Sequence, residues 1–207
     1  MQRQYSFKFF MINFFTIFRI LVSPFVFMLL IINGVVNSIL AFVLFMVGTI
    51  TDAIDGMLAR KYNLQSKFGF VLDPIADKFL VLFTLLGIIL IDYFFVPFYF
   101  FVIIFLRDLI VTFLKPISDY KGFPIPTTSL AKIKTTIQFV CIISVLMYNI
   151  LVNVFVGNPS VKSVIEFFGS FAYLPYYLCL VLLIVTIVSG IEYIVLFIRG
   201  VLKKLSF

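Results

Sequence analysis

Four aspartates, Asp52, Asp55, Asp73 and Asp77, stand within or at the ends of two neighbouring apolar stretches. Each would cost about 2.5–3.5 kcal/mol at the centre of a membrane helix. Four in one short region therefore call for a compensating partner. Arg60 and Lys78 set two cations against four carboxylates, so ion pairing alone does not account for them. At about 100° per residue, Asp52, Asp55, Gly56, Ala59 and Arg60 fall on one face of a helix, and Gly69, Asp73 and Asp77 fall on one face of the next. If the chain turns back near residue 64, Asp55 lies opposite Asp73, Asp52 opposite Asp77 and Ala59 opposite Gly69. The four carboxylates then form one cluster, one to three turns from the connecting loop. Such a cluster repels itself or takes up protons unless it shares cations, and an oxygen-only donor set suits Mg²⁺, Mn²⁺ or Ca²⁺ rather than zinc. Four carboxylates suffice for two ions. Two metals about 3.5–4 Å apart clamp the attacking and leaving oxygens of a phosphoryl transfer. Gly56, Ala59 and Gly69 strip side chains from the same face, which also permits close helix packing in a membrane.

Elements long enough to position these groups follow from the hydropathy. The chain has 207 residues, of which 63% are hydrophobic and 12% charged, with a mean hydropathy of +1.22. Globular chains run at about 45–50% apolar and about 25% charged, so a soluble domain is excluded. A spanning helix needs about 20 mostly apolar residues. Six such stretches are expected, over roughly 9–31, 36–60, 68–91, 94–115, 130–156 and 171–198, making an all-α integral membrane protein with a single domain over 1–207. The breaks carry turn chemistry: Asn33-Gly34, the polar run 61–67, Asp92 with Pro97, the prolines and glycine of 116–129, and Gly157-Asn158-Pro159. No small-residue cleavage site follows the first span, so that span is expected to stay in the mature protein. The first ten residues are expected to lie along the membrane surface as a short amphipathic helix.

Cations mark one side of this arrangement. Arg3, Lys8, Arg60, Lys61, Lys67, Lys115, Lys121, Lys132, Lys134, Arg199, Lys203 and Lys204 fall on the side that holds both termini, and only Lys162 on the other. The bias places both termini, and the loops near 64 and 120, in the cytoplasm. The net charge of +7 is thus accounted for by the membrane surface, and no basic stripe interleaved with aromatics points to nucleic acid. The chain has no histidine, which excludes imidazole ligands and histidine-dependent triads. Cys141 and Cys179 sit inside apolar stretches and read as packing residues. The 29 Phe and 10 Tyr read as lipid-facing bulk.

The acidic face reads Asp52-x2-Asp55-Gly56-x2-Ala59-Arg60-x8-Gly69-x3-Asp73-x3-Asp77, eight fixed positions across 26 residues. It resembles the CDP-alcohol phosphatidyltransferase family signature at every fixed position. Asn13-x2-Thr16-x2-Arg19 is similar to that family's entry to the first span. Arg107-Asp108-x3-Thr112-x2-Lys115, Ala131-Lys132-Ile133-Lys134-Thr135 and Ser189-Gly190-Ile191-Glu192-Tyr193 look like its bacterial phosphatidylglycerophosphate synthase branch, as does Asp73-Pro74-Ile75-Ala76-Asp77-Lys78. The resemblance implies the six-span CDP-alcohol phosphotransferase fold, a homodimer, a site open to the cytoplasmic leaflet of the cell membrane, and CDP-diacylglycerol as donor, with CMP released. It implies that Asp52, Asp55 and Asp73 are metal ligands and that Asp77 is both ligand and general base. The metal would be two Mg²⁺, with Mn²⁺ an alternative. It further implies that Gly56, Arg60 and Ser66 contact the CDP moiety, with Ala59 and Gly69 leaving it room and Asn13 and Thr16 lining the same pocket.

The acceptor is read from cations. Arg107, Lys115, Lys132 and Lys134 lie near the cytoplasmic ends of the fourth and fifth spans, and Arg107 lies about two turns into its span, where charge is costly. Several cations beside an anionic metal site suggest a phosphate on the acceptor. Glycerol 3-phosphate and inositol phosphate both fit on charge, and the branch resemblance favours the first. A sister transferase (cardiolipin synthase, or one for inositol phosphate or serine), a cation-coupled transporter and a structural subunit remain as other readings. Asp108 and Glu192 are expected to pair with local cations.

Overall fold

A computed structural model describes the backbone over residues 2–62, 67–156 and 173–205, and side chains over 17–52, 78–92, 94–155 and 173–204 together with those of Ile54 and Met57. The described residues form six α-helices and no strand: α1 (Gln2–Ile32), α2 (Val35–Tyr62), α3 (Lys67–Ile89), α4 (Phe98–Tyr120), α5 (Ser129–Val156) and α6 (Leu174–Leu205). The all-helical expectation holds. Of the boundaries that differ, which include the end of α6 seven residues later than expected, three have a local reason. No break separates residues 2–10 from the first span, and α1 runs on as one helix of 31 residues. The fourth helix starts four residues later than expected because Asp92–Phe94 forms a 3-10 turn, Phe95 adopts a positive φ of 52°, and Pro97 sits extended at the helix N-cap. It also ends later, because Pro116 is carried inside the helix instead of ending it.

What ends α4 is Gly122. The Gly122 amide donates to the Asp119 carbonyl and the Phe123 amide to the Ser118 carbonyl, each over 3.0 Å. This pair of bonds needs a left-handed residue at the glycine position, and Gly122 has φ +77°. The α1–α2 turn works similarly, with Asn33 at φ 55° and Gly34 at φ 93°. α6 closes on Lys203 and Lys204, whose charges suit a helix C-terminus.

Three helices are long and apolar enough to cross a membrane among the described residues: Val35–Asp52 in α2, Ser129–Phe155 in α5 and Leu174–Lys204 in α6. The described apolar runs in α1 and α3 are shorter, Ile17–Ile32 and Lys78–Ile89. α4 carries Arg107, Asp108 and Lys115 within its apolar sequence. Large apolar side chains point outward from several helices, including Phe25, Phe113 and Val181, as a lipid-facing surface requires.

The chain divides into two units. The first holds α1, α2, α3 and the last turns of α5. Here α1 packs along both α2 and α3, while α2 and α3 touch over a short stretch. Val22, Val26, Leu30, Phe45, Leu85 and Ile88 form its core. Two glycines set the close approaches: a Cβ at Gly87 would stand 2.8 Å from Leu30 Cδ1, and one at Gly48 would stand 2.6 Å from Leu80 Cδ2. Asn149 and Asn153 of α5 donate to Ser38 Oγ over 2.8 and 3.1 Å, and Asn153 donates to Asn33 Oδ1 over 2.8 Å. This buried polar cluster ties α5 to the α1–α2 turn. Side-chain bonds between membrane helices are worth about 0.6–2 kcal/mol each.

In the second unit α4 packs on α6. Phe100 meets Tyr176 at 5.7 Å and Phe123 meets Phe197 at 5.5 Å. Cys141 and Cys179 are both buried, with their sulfurs 4.0 Å apart and no disulfide between them, as packing residues should be. Gly87→Leu is expected to push α1 off α3 and to cost about 1–3 kcal/mol, the usual range for overpacking. The measurement is thermal unfolding of the purified protein in detergent, and an unchanged midpoint would contradict the packing described.

Candidate functional site

Asp52, Asp55, Gly56, Ala59 and Arg60 lie on α2, and Gly69, Asp73 and Asp77 on α3. Asn13, Thr16 and Arg19 lie on α1. The motif is therefore divided between two helices that both pack along a third. Asp52 is the one member of the motif whose side chain is described. Ser66 lies outside the described residues altogether. So do the side chains of Asn13, Thr16, Asp55, Ala59, Arg60, Asp73 and Asp77, and what surrounds Gly56 and Gly69. The facing register read from the sequence, Asp55 to Asp73 and Asp52 to Asp77, falls on those residues.

Asp52 is half-buried, and its Oδ1 forms an ion pair with Arg19 Nη1 of α1. Arg19 is fully buried, and Ser23 Oγ, also buried, donates to the Arg19 carbonyl over 2.6 Å. Asn13-x2-Thr16-x2-Arg19 marks Arg19 in the sequence without indicating what it pairs with. The available signal was its depth, an arginine midway along an apolar helix one turn beyond Thr16. Asp52 therefore receives a cation from the first helix.

Whether such a site suits a divalent cation is testable at Asp52. Its side chain keeps 37% of its surface exposed, and among the described residues it spends only Oδ1 on a partner. The second carboxylate oxygen remains available to a ligand. A hard oxygen donor of this kind fits Mg²⁺ or Mn²⁺, and the absence of histidine from the chain leaves oxygen donors in charge.

The second unit holds the cations read as acceptor ligands, and it separates them. Arg107 Cζ lies 5.7 Å from the centroid of the Tyr193 ring and Lys115 Nζ lies 5.4 Å from it. Lys115 also donates to Thr127 Oγ1 over 3.1 Å, and the Tyr193 hydroxyl accepts from the Thr128 amide over 3.4 Å. Lys134 is buried and its ammonium reaches Asp108 Oδ1 and Oδ2 at 2.7 Å each and Gln138 Oε1 at 2.9 Å. Asp108 also accepts from Arg107 Nη1 over 3.0 Å. The expectation that Asp108 pairs with Arg107 holds, and Lys134 is a second partner. Lys132, two residues from Lys134 and so on another face of α5, is exposed. Glu192 Oε2 is buried without a hydrogen-bond partner among the described residues. The expected local cation is not seen there.

Arg107 therefore spends one of its nitrogens on Asp108. Its Nε and Nη2 are buried and carry no hydrogen bond among the described residues. The stem of Arg107 lies against Gly190 of α6, where a Cβ would stand 3.0 Å from Arg107 Cγ. Gly190 and Tyr193 together thus shape the position of Arg107, roles not legible in the spacing of Ser189-Gly190-Ile191-Glu192-Tyr193.

Comparison with known proteins places these observations. The sequence model of the CDP-alcohol phosphatidyltransferase family matches residues 9–198. A Mycoplasma pneumoniae protein named CDP-diacylglycerol–glycerol-3-phosphate 3-phosphatidyltransferase is 31% identical over 189 residues, covering 80% of this chain and 79% of that protein. A protein of the same name from Rickettsia typhi is 38% identical over 126 residues, covering 61% and 70%. One from Wigglesworthia glossinidia brevipalpis is 30% identical over 165 residues, covering 76% and 89%.

Proposed function

We propose that this chain, which belongs to the CDP-alcohol phosphatidyltransferase family, moves the phosphatidyl group of CDP-diacylglycerol to glycerol 3-phosphate, releasing CMP and forming phosphatidylglycerophosphate. The observation that carries this reading is the complete eight-position motif, divided between α2 and α3. Relatives named for this reaction and similar over up to 80% of the chain support it. Family membership makes the chain a transferase, which sets aside the transporter and the structural subunit.

Asp52, Asp55, Asp73 and Asp77 hold two divalent cations in this reading, Mg²⁺ or alternatively Mn²⁺, which when bound neutralise charge on the donor diphosphate and on the departing CMP. Asp77 takes the proton of the acceptor hydroxyl as that oxygen attacks the β-phosphorus in line, and the bond from that phosphorus to CMP breaks. Arg60, Ser66, Asn13 and Thr16 contact the cytidine diphosphate, and the small residues Gly56, Ala59 and Gly69 leave it room. Arg107 and Lys115 bind the phosphate of the acceptor. Lys132 and Lys134 belong to the same group of cations, and the commitment of Lys134 to Asp108 favours a supporting role for it. The protein crosses the cell membrane six times, with both termini and the site on the cytoplasmic side, as the distribution of Lys and Arg supports. It acts as a homodimer, on the strength of the family resemblance.

The test is CMP release by purified protein from CDP-diacylglycerol, with glycerol 3-phosphate set against inositol phosphate and with Mg²⁺ present or removed by chelation. Turnover with glycerol 3-phosphate alone, lost on chelation, is the expected result. Arg107→Ala is expected to raise the acceptor KM about 10–100-fold, matching about 1.5–3 kcal/mol for charge-assisted hydrogen bonds. The donor KM should change by less than about threefold. Equal effects on both would remove Arg107 from the acceptor site.

A further inference from the structure

Arg19 is a full charge placed midway along an apolar helix, with its side chain sealed from solvent. It forms an ion pair with Asp52, the first residue of the acidic motif on the neighbouring helix. The contrast in exposure between the two is informative. Arg19 lies behind Asp52 on the protein side, whereas Asp52 keeps 37% of its surface open. The pair therefore has one buried member and one partly exposed member. We propose that Arg19 is a positioning residue for the metal site, holding the Asp52 carboxylate turned so that Oδ2 is presented to the cation. This rests on the reading of Asp52 as a metal ligand.

Two features make positioning the better account than a mere clamp between α1 and α2. A carboxylate bound through one oxygen by a guanidinium loses its rotational freedom and keeps a second oxygen for a ligand. The Arg19 backbone is itself braced, since buried Ser23 donates to its carbonyl over 2.6 Å. Groups that orient a metal ligand from behind commonly change metal affinity about 10–100-fold when removed.

The sign of the effect separates positioning from simple charge. Removing a cation near a metal site strengthens metal binding by Coulomb's law, whereas removing an orienting partner weakens it. The exposure of Asp52 lets water screen the first effect, and the loss of a fixed carboxylate is local and unscreened, so weakening should win.

The experiment uses the full-length protein in detergent micelles, with Mn²⁺ binding read from the loss of the free-ion paramagnetic resonance signal and metal-free melting recorded in parallel. Arg19→Met is expected to raise the Mn²⁺ Kd about 10–100-fold. Arg19→Lys, which keeps the charge without the planar fork, should fall between the two and serves if the methionine variant does not fold. In an Asp52→Asn background the Arg19 substitution should change the Mn²⁺ Kd less than twofold. A Kd for Arg19→Met within twofold of wild type, or tighter than wild type, overturns the proposal, and a lowered metal-free melting point with unchanged Kd leaves only a structural clamp. If the unaltered protein shows no saturable Mn²⁺ binding, it is the metal-site reading that fails, and the role of Arg19 falls with it.

Discussion

Asp77→Asn is expected to lower kcat about 10²–10⁴-fold, the usual worth of a positioned general base. The substitution preserves shape and one carbonyl oxygen but cannot accept the proton of the acceptor hydroxyl. Two roles are assigned to Asp77, ligand and base, and they respond differently to added metal. A variant impaired only as a ligand recovers when Mg²⁺ is raised well above the level that saturates the unaltered enzyme. A variant impaired as a base stays slow at every Mg²⁺ concentration, with Mn²⁺ affinity near normal. The measurement is kcat for CMP release across a Mg²⁺ series, with metal binding determined separately. Turnover near that of the unaltered enzyme, or full recovery at high Mg²⁺, would remove Asp77 from the base position and leave it as a ligand. Asp52 should behave in the opposite sense. Its side chain is turned toward Arg19, so Asp52→Asn should act mainly through metal affinity.

What the sequence disclosed about this molecule divides by physical cause. Helix content and the positions of α2, α3 and α5 were legible because apolar runs of about 20 residues with glycine or polar breaks admit little else. Pro116 misled, since a proline costs one backbone bond and does not stop a helix whose neighbours compensate. The true stop lay at Gly122, where a left-handed conformation is required. The acidic motif was legible because four carboxylates in an apolar setting have few bland explanations. Arg19 and Tyr193 were not, because each acts through a partner far away in sequence. Asp52 is 33 residues from Arg19, and Thr128 is 65 residues from Tyr193. Spacing rules for one helix cannot supply such pairs. The arrangement in which α1 packs along both α2 and α3 was likewise invisible, as a two-helix hairpin satisfied the same periodicity. The four cations of the acceptor reading illustrate the same limit. Hydropathy places Lys132 and Lys134 together near one membrane face, while the helix turns one outward and buries the other against Asp108.

That burial leads to the second large effect. Lys134→Met is expected to destabilise the protein by about 3 kcal/mol, the lower end of the range for stranding one partner of a buried ion pair. The low end applies because Asp108 retains Arg107, 3.0 Å from its Oδ1. Lys134 nonetheless meets both carboxylate oxygens at 2.7 Å. Replacing both members, Lys134→Met with Asp108→Leu, should recover stability to within about 1 kcal/mol of the unaltered protein, since a well-packed apolar pair often equals a buried ionic one. Steric trapping in bicelles measures both variants, and additivity of the two single substitutions would contradict a direct pair. The consequence reaches the acceptor site. With Lys134 gone, more of the neutralisation of Asp108 falls to Arg107, and its guanidinium turns further toward that carboxylate and away from an incoming phosphate. Lys134→Met should therefore raise the acceptor KM several-fold with the donor KM little changed, the same asymmetry expected of Arg107→Ala but smaller. A buried ion pair in α4 and α5 would then be retained less for stability than for leaving two nitrogens of Arg107 unspent.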